Sequence, residues 1–262
     1  MKQGGSTGPP PAPHSSRPGN QHPSARPTTN RYPFPQVPAS TNLPLPLMRI
    51  HAFTFNPFQE NTYLLLDDST HHCAIVDPGC HSPAEEAELR AYLDQHGFTP
   101  TALLLTHSHI DHVFGLDFVV RTWHLTPHHH PADEQSLRQV PLYAPLYGFP
   151  RFRIPDVTPL HLPTSGPVRF GNVELEVRFT PGHSPGHVVF YHAPTRALIG
   201  GDVLFQNSIG RTDLPGGSFS ELAQSIRHQL YSLPDDVTVY PGHGPTTTIG
   251  QEKRTNPFVP AT

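Results

Sequence analysis

The stretch Thr106-His107-Ser108-His109-Ile110-Asp111-His112 directly follows the apolar run Ala102–Leu105. A short continuous apolar run is typical of a buried strand, so this stretch begins where a strand ends. His107 and His109 are two residues apart and face the same side of an extended segment. Burying three imidazoles and a carboxylate without partners is unfavourable. The stretch therefore predicts a metal site.

Three later β runs end in a similar way. Val177–Phe179 leads into Pro181-Gly182-His183, Leu198–Ile199 into Gly200-Gly201-Asp202, and Val237–Tyr240 into Pro241-Gly242-His243. Neighbouring strands of an open α/β sheet end at one crevice. Each of these residues alone would more often belong to an ordinary turn. All four strand ends in this order favour one shared metal centre.

The candidate ligands are five histidines and two aspartates, more than the four ligands of a closed structural zinc site. They are His107, His109, Asp111, His112, His183, Asp202 and His243. Mixed nitrogen and oxygen ligands fit two divalent metal ions about 3.5–4 Å apart, with an open position for water. Zn²⁺ is the first prediction, with iron or manganese as alternatives.

The remaining elements predict an α/β fold. Segment Ser82–Gly97 has the capping signals of a helix, and a second helix is predicted from near His109 to His124. The alternation of strands and helices in the first half indicates an α/β arrangement, and the second half is richer in strands. Segment Pro127–Pro163 has no clear periodicity. It predicts either a lid that carries Tyr143, Tyr147, Phe149 and Phe152, or a remote surface loop.

Composition divides the chain in two. Residues 1–47 are rich in Pro, Ser, Thr, Asn and Gly and almost free of apolar side chains, which predicts a disordered tail. Residues 48–262 can bury one sizeable core. Met48 immediately precedes the first β run. Residues 1–47 are thus either a genuine tail or sequence translated from upstream of the true start.

Charge and hydropathy argue against several classes of protein. The formal net charge is −4 without a basic block, which argues against a nucleic-acid partner. No apolar run approaches the roughly 18 residues of a membrane span, and no secretory signal follows Met1. Cys73 and Cys80 are interpreted as a reduced pair, so a cytoplasmic location is predicted. The remaining histidine clusters, His71-His72 and His128-His129-His130, lie in polar surroundings and are predicted to be solvated.

The quoted stretch resembles the T-H-x-H-x-D-H signature of the metallo-β-lactamase superfamily. His183, Asp202 and His243 match the later ligand motifs of that superfamily in order and spacing, and the resemblance covers Met48 to about Phe258. It implies an αββα sandwich. It also implies that His107, His109 and His183 bind one metal and Asp111, His112 and His243 the other. Asp202 would bridge the two metals.

The resemblance is closest to the glyoxalase II-like branch, which includes short hydroxyacylglutathione hydrolase-like proteins. The shared segments are Asn56–Thr62, Val76–Gly79, Thr180–His187, Gly210–Asp213 and Gly242–Lys253. This branch implies hydrolysis of a small acyl thioester or ester by a hydroxide that bridges the two metals, with Asp111 as the catalytic residue that orients it. The chain ends at Thr262, without the helical domain that holds glutathione in full-length glyoxalase II enzymes. Glutathione specificity is therefore not carried over.

Several alternatives remain open at this point. The same branch contains mononuclear iron persulfide dioxygenases with a similar Gly210-Arg211-Thr212-Asp213 segment, and the motifs do not exclude a β-lactamase. The histidine content also fits a non-catalytic metal-binding module. His187 is predicted to support the ligands rather than bind metal. Arg211 and Asp213 are predicted either to form an ion pair that lines the site or to belong to a structural turn. The sequence does not predict the oligomeric state.

Overall fold

Strand β2 (Glu60–Asp67) is buried along all eight of its residues. Side chains alternate between the two faces of a strand, so both faces of β2 must be covered by other layers. Leu64 and Leu66 pack in one hydrophobic cluster, and Tyr63 and Leu65 pack in another on the opposite face. These observations come from a computed structural model that describes residues 48–261. The predicted tail, residues 1–47, lies outside the described residues.

Within residues 48–261, two sheets of six strands form the centre of the fold. The first sheet follows chain order: β1 (Met48–Phe55), β2, β3 (His72–Val76), β4 (Thr99–Leu104), β5 (Pro127–His129) and β6 (Leu160–His161). The second sheet has the order β14 (Thr247–Thr248), β13 (Thr238–Pro241), β10 (Ala197–Gly201), β9 (Val188–His192), β8 (Val173–Phe179) and β7 (Ser165–Phe170). A separate hairpin joins β11 (Leu204–Phe205) and β12 (Ser208–Ile209).

Three hydrophobic clusters show that these sheets are the inner layers of a four-layer sandwich. The middle cluster joins the facing sides of the two sheets, for example Leu65 and Leu104 with Leu175 and Phe190. The outer clusters cover the other faces. The helices of the first outer layer are α1 (Pro83–His96), α2 (Leu116–Trp123) and α3 (Glu134–Tyr143). Those of the second are α4 (Phe219–Ser225), which continues as a π-helical turn over Ile226–Leu230, and α5 (Ile249–Thr255). The predicted αββα sandwich is confirmed.

The predicted helix from His109 to His124 begins later than expected. Ile110–His112 forms a single 3₁₀ turn, and α2 starts only at Leu116. At Gly115, between them, a Cβ atom would lie 2.3 Å from Sγ of Cys80. This close approach of two backbone segments is a tertiary constraint that local helix propensity does not report.

The segment Pro127–Pro163 is not irregular, which corrects the sequence interpretation. It contains β5, α3, a 3₁₀ turn over Ala144–Tyr147, and β6, so it extends the first sheet by two parallel strands. The prediction of solvated histidines at positions 128–130 is also wrong, because His129 and His130 are buried in this extension. His71, in contrast, is exposed as predicted.

Two further observations concern the chemical setting of the chain. Cys73 and Cys80 are free and buried, in agreement with the predicted reduced pair. None of the helices between residues 48 and 261 has the length and hydropathy needed to cross a membrane.

Candidate metal centre

Parallel strand pairs bring the candidate ligands to one edge of the sandwich. In the second sheet β10 and β13 run parallel, with Gly201 opposite Pro241, so Asp202 and His243 follow adjacent strand ends. In the first sheet β3 and β4 run parallel, and His107 follows β4. The backbone N–H of Val188 donates to the carbonyl of Thr106 at 2.9 Å, which ties the two sheets together at this edge. The predicted convergence of strand ends is observed.

Three imidazoles form a first ligand triad. Nε2 of His107 lies 3.1 Å from Nδ1 of His109, which lies 2.8 Å from Nε2 of His183. The third side of the triangle, between the Nε2 atoms of His183 and His107, is 3.3 Å. Two donors that bind one tetrahedral zinc at about 2.0–2.1 Å are about 3.3 Å apart. The three nitrogens are therefore spaced as ligands of a single ion.

A second triad combines a carboxylate with two imidazoles. Oδ2 of Asp111 lies 3.1 Å from Nε2 of His243 and 3.8 Å from Nε2 of His112. The three side chains form a group whose ligand atoms all lie within 4.8 Å of one another. This wider spacing still leaves the three atoms around one point.

Asp202 lies between the triads and touches both. Its Oδ2 is 3.5 Å from Nε2 of His183 in the first triad and 3.6 Å from Nε2 of His243 in the second. Its Oδ1 is 3.4 Å from Nε2 of His112. The structure thus brings all seven predicted ligands together, with Asp202 in the position expected of a bridging carboxylate.

Unpaired polar atoms provide an independent test of whether metal ions fit here. Among the described residues, Nε2 of His112 and Oδ1 of Asp202 are buried and have no hydrogen-bond partner, because the 3.4 Å contact between them lacks hydrogen-bond geometry. Buried polar atoms in native proteins are nearly always paired, so these two unpaired atoms indicate that a cation fits between them and their neighbours. A Cβ atom on Gly242 would lie 2.1 Å from Oδ1 of Asp202, which explains why glycine precedes His243.

Sequence reasoning did not identify Asp77 as a functional residue. Its Oδ2 accepts from Nδ1 of His112 at 3.1 Å and from Oγ1 of Thr106 at 2.5 Å, and its Oδ1 accepts from the backbone N–H of Thr106 at 2.7 Å. A carboxylate that accepts a hydrogen bond from Nδ1 keeps the proton on that nitrogen, which leaves Nε2 of the same ring free to bind metal. Asp77 directly follows β3, and that position at a strand end was the signal for its role.

Backbone carbonyls orient two other ligands in the same way. Nδ1 of His183 donates to the carbonyl of Arg211 at 2.8 Å, and Nδ1 of His243 donates to the carbonyl of Phe58 at 3.1 Å. Each of these bonds assigns the proton to Nδ1, so Nε2 is unprotonated and directs its lone pair at the metal centre. Gly210-Arg211-Thr212-Asp213 therefore contributes a backbone carbonyl to the site. The Arg211 and Asp213 side chains form the predicted ion pair, but on the surface, with more than half of each side chain exposed.

His187 supports Asp202, in agreement with the sequence interpretation. Its Nε2 accepts from the backbone N–H of Asp202 at 3.0 Å, and its Nδ1 lies 3.0 Å from Oγ1 of Thr180. The ring is fully buried, and burial lowers its pKa well below the ordinary value, so it stays neutral. A neutral His187 holds the backbone of Asp202 in place.

The Asn56–Thr62 segment braces the loops that carry the ligands. Nδ2 of Asn56 donates to the carbonyls of Gly79 and Asp111, both at 3.0 Å. Nδ2 of Asn61 donates to the carbonyls of Pro241 at 3.1 Å and Gly244 at 2.9 Å, on either side of His243. The resemblance in this segment therefore reflects positioning of the ligand loops, not metal binding.

Comparison with known proteins shows which family the chain matches. Residues 55–243 match the model of the "Metallo-beta-lactamase superfamily". The chain is 39% identical over 216 residues to "Probable metallo-hydrolase YqgX" of Bacillus subtilis (strain 168), a match that covers 81% of this chain and 98% of that protein. It is 36% identical over 220 residues to "Hydroxyacylglutathione hydrolase GloC" of Haemophilus influenzae, covering 81% and 98%.

Two solved structures that match over almost their whole length share the fold. A crystal structure of the BLEG-1 B3 metallo-β-lactamase matches with a TM-score of 0.74 and 36% identity, covering 80% of this chain and 99% of that chain. The crystal structure of TTHA1623 in a di-iron-bound form matches with a TM-score of 0.71 and 38% identity, covering 79% and 99%. Both matches span nearly the whole described part of this chain.

Proposed function

The chain belongs to the metallo-β-lactamase superfamily of metal-dependent hydrolases, and from that premise we propose that it is a two-metal hydrolase of small acyl thioesters. The observation that carries the proposal is the position of Asp202, whose Oδ2 lies within 3.6 Å of a ligand nitrogen from each triad. A carboxylate in that position can join two metal ions into one centre.

The proposed ligand sets follow the two triads. His107, His109 and His183 would hold one divalent metal, Asp111, His112 and His243 the second, and Asp202 would contact both. When bound, such a pair supplies an acidified water near neutral pH and an electrophilic contact for an acyl oxygen. Zn²⁺ suits this mixture of imidazole and carboxylate. Iron is the main alternative, since a similar protein at 38% identity has been crystallised with two iron ions.

Asp111 is the proposed catalytic residue. Its carboxylate lies 3.1 Å from Nε2 of His243 and is only slightly accessible to solvent. Burial raises the pKa of Asp111, but the neighbouring His112 and the hydrogen bond from His243 outweigh burial and lower it. The carboxylate therefore stays ionised and can accept a hydrogen bond that aims an attacking water at the acyl carbon.

A cavity with aromatic and arginine side chains supports a thiol carrier as the leaving group. The cavity measures about 960 Å³, and its lining includes Phe114, Phe149, Arg151 and Arg153, together with Glu86 and an ion pair between Arg121 and Asp117. Phe58 connects it to the metal centre. The Phe58 carbonyl accepts from His243, and its ring lies 6.2 Å from that of Phe114 and 6.1 Å from that of Phe149. Arginines can bind the carboxylates of a carrier such as glutathione, which agrees with the hydroxyacylglutathione hydrolase among the similar proteins.

A substrate panel tests the proposal. The metal-loaded protein would be assayed with S-lactoylglutathione, a thioester of a smaller thiol, a cephalosporin, and glutathione persulfide with oxygen monitored. Asp202→Ala serves as the control for contaminating activity. The proposal expects turnover of thioesters that Asp202→Ala lacks. Oxygen consumption on the persulfide, β-lactam hydrolysis without thioester turnover, or no turnover of any substrate would each contradict it and favour a dioxygenase, a β-lactamase or a non-catalytic metal module.

A further inference from the structure

A third group of metal-ligating side chains lies outside the catalytic centre. It consists of His129 at the end of β5, His161 at the end of β6 and Glu134 at the start of α3. His129 and His161 are register partners in the parallel pair of β5 and β6, so their side chains leave the same face of the sheet. Their ring centroids are 5.7 Å apart. The fold of the 127–163 segment therefore creates this group.

The donor atoms converge on one point. Oε2 of Glu134 lies 3.5 Å from Nε2 of His161, and one ligand atom from each of the three residues lies within 4.8 Å of the others. Arg138 donates to the other carboxylate oxygen, Oε1 of Glu134, at 3.1 and 2.6 Å. One oxygen of Glu134 is thus anchored to its own helix while the other is directed at His161.

His129 provides the second, independent observation. Its side chain is buried, with 1% of the residue exposed. Neither of its ring nitrogens has a hydrogen-bond partner within residues 48–261. A buried imidazole normally pairs at least one nitrogen, so an unpartnered ring beside a carboxylate and a second imidazole points to a cation. Burial also lowers the pKa of His129, which keeps the ring in the neutral form that binds metal.

The group adjoins a residue that supports the catalytic centre. Asp133, directly before Glu134, is buried, and its Oδ1 accepts from Oγ of Ser184 and, at 3.2 Å, from the backbone N–H of Gly186. Ser184 follows the ligand His183 in sequence. A cation held by Glu134 would fix the start of α3, and with it the aspartate that holds the His183 loop.

We propose that His129, Glu134 and His161 form a third metal site, separate from the catalytic pair, which binds a divalent transition metal such as Zn²⁺ and fastens β5, β6 and α3 together. Two imidazoles and one carboxylate are a donor set that suits Zn²⁺. The partly exposed side of the site, at His161, gives water access as a fourth ligand. The role of this metal is structural, and it acts on catalysis only through the His183 loop.

Metal counting tests the site. Four proteins would be equilibrated with low-micromolar zinc: wild type, Glu134→Gln, His161→Ala and His228→Ala. His228→Ala is the control, because it replaces another exposed histidine. Elemental analysis then measures the bound metal per chain. Glu134→Gln and His161→Ala should each bind about one ion fewer than wild type, and His228→Ala should match wild type. Zinc should raise the melting temperature more in wild type than in Glu134→Gln.

Two outcomes would overturn the proposal. Equal metal content in all four proteins would show that the group binds no ion. Loss of an ion in only one of the two ligand variants would show that the site is not composed as proposed. Glu134→Gln keeps the shape of the side chain, so a loss of metal in that variant cannot be attributed to misfolding.

Discussion

The two triads of the metal centre differ in charge, although they lie side by side. The first consists of imidazoles alone. Burial lowers the pKa of His107 well below its ordinary value and that of His109 to about 4, so both rings are neutral before a metal binds. In the second triad, burial lowers the pKa of His112 and His243, but the carboxylates of Asp202 and Asp111 outweigh burial and raise it.

The difference has a direct consequence for metal binding. A metal entering the second triad must displace protons that the carboxylates hold on His112 and His243, whereas the first triad is already deprotonated. The carboxylates also compensate the charge of the metal once it is bound. We therefore expect two unequal sites, of which the second responds more strongly to pH and to loss of supporting residues.

The largest effect is expected where the triads meet. Asp202→Ala removes the carboxylate that contacts both, so both metals should bind more weakly. Thioester turnover should then fall at least about 100-fold, because the metals that would polarise the acyl oxygen are lost. His243→Ala removes a ligand of the second triad only and should retain about one metal. Elemental analysis of both variants checks this. Equal metal content would contradict the bridging role of Asp202.

A smaller effect is expected from the support of the second triad. In Asp77→Asn an amide would face Nδ1 of His112, and the bond that orients this ring would be lost. Loss of such a partner weakens metal binding about 10- to 100-fold, so the second metal should bind more weakly while the first is retained. Competition with a chelator measures both affinities. Asp68→Asn, at an exposed carboxylate, is the control, and an equal loss from both sites would count against the assignment.

The pH dependence separates the triads without mutation. A raised pKa means that protons compete with metal up to a higher pH, so the second triad should lose its ion first as the pH falls from about 8 to about 6. The lowered pKa values of the first triad delay protonation to lower pH. Metal content after dialysis at each pH gives the order, and His243→Ala should lose little over this range. Loss of both ions at the same pH would mean that the two sites bind metal equally well.

The smallest effect is expected from a change at Tyr143, near the second triad. Tyr143 on α3 lies close enough to Asp111 that this carboxylate contributes to raising the pKa of the phenol, although burial is the main cause. Tyr143→Ala should raise KM severalfold, equivalent to about 1 kcal/mol of binding, with metal content unchanged. Tyr92→Ala, at a half-buried tyrosine on α1, is the control. Unchanged kinetics across the thioester panel would argue that the 127–163 segment is no lid.

The features of the fold and the site that could be predicted from the sequence depend on local sequence patterns. The convergence of the candidate ligands could be predicted because each follows an apolar run, and the sandwich because strands, turns and helices have recognisable signals. Asp77 was missed because an aspartate before Pro78-Gly79 is typical of an ordinary turn. Its role depends on the parallel pairing of β3 with β4, which brings it beside Thr106.

The errors share one physical cause, burial created by distant contacts. His129 lies in a polar, proline-containing segment, yet pairing of β5 between β4 and β6 buries it. The helix expected from His109 starts later because Gly115 packs against Cys80, which lies 35 positions earlier in the sequence. Neither contact has a local signal in the sequence.

If both triads together form one hydrolytic centre, activity requires metal in both. The most direct test titrates the metal-stripped protein with Zn²⁺ and follows S-lactoylglutathione hydrolysis and bound metal in the same samples. We expect little activity with about one ion per chain and a steep rise in activity as the second triad fills. Full activity with the first triad alone occupied, or no thioester hydrolysis with both triads occupied, would contradict this expectation.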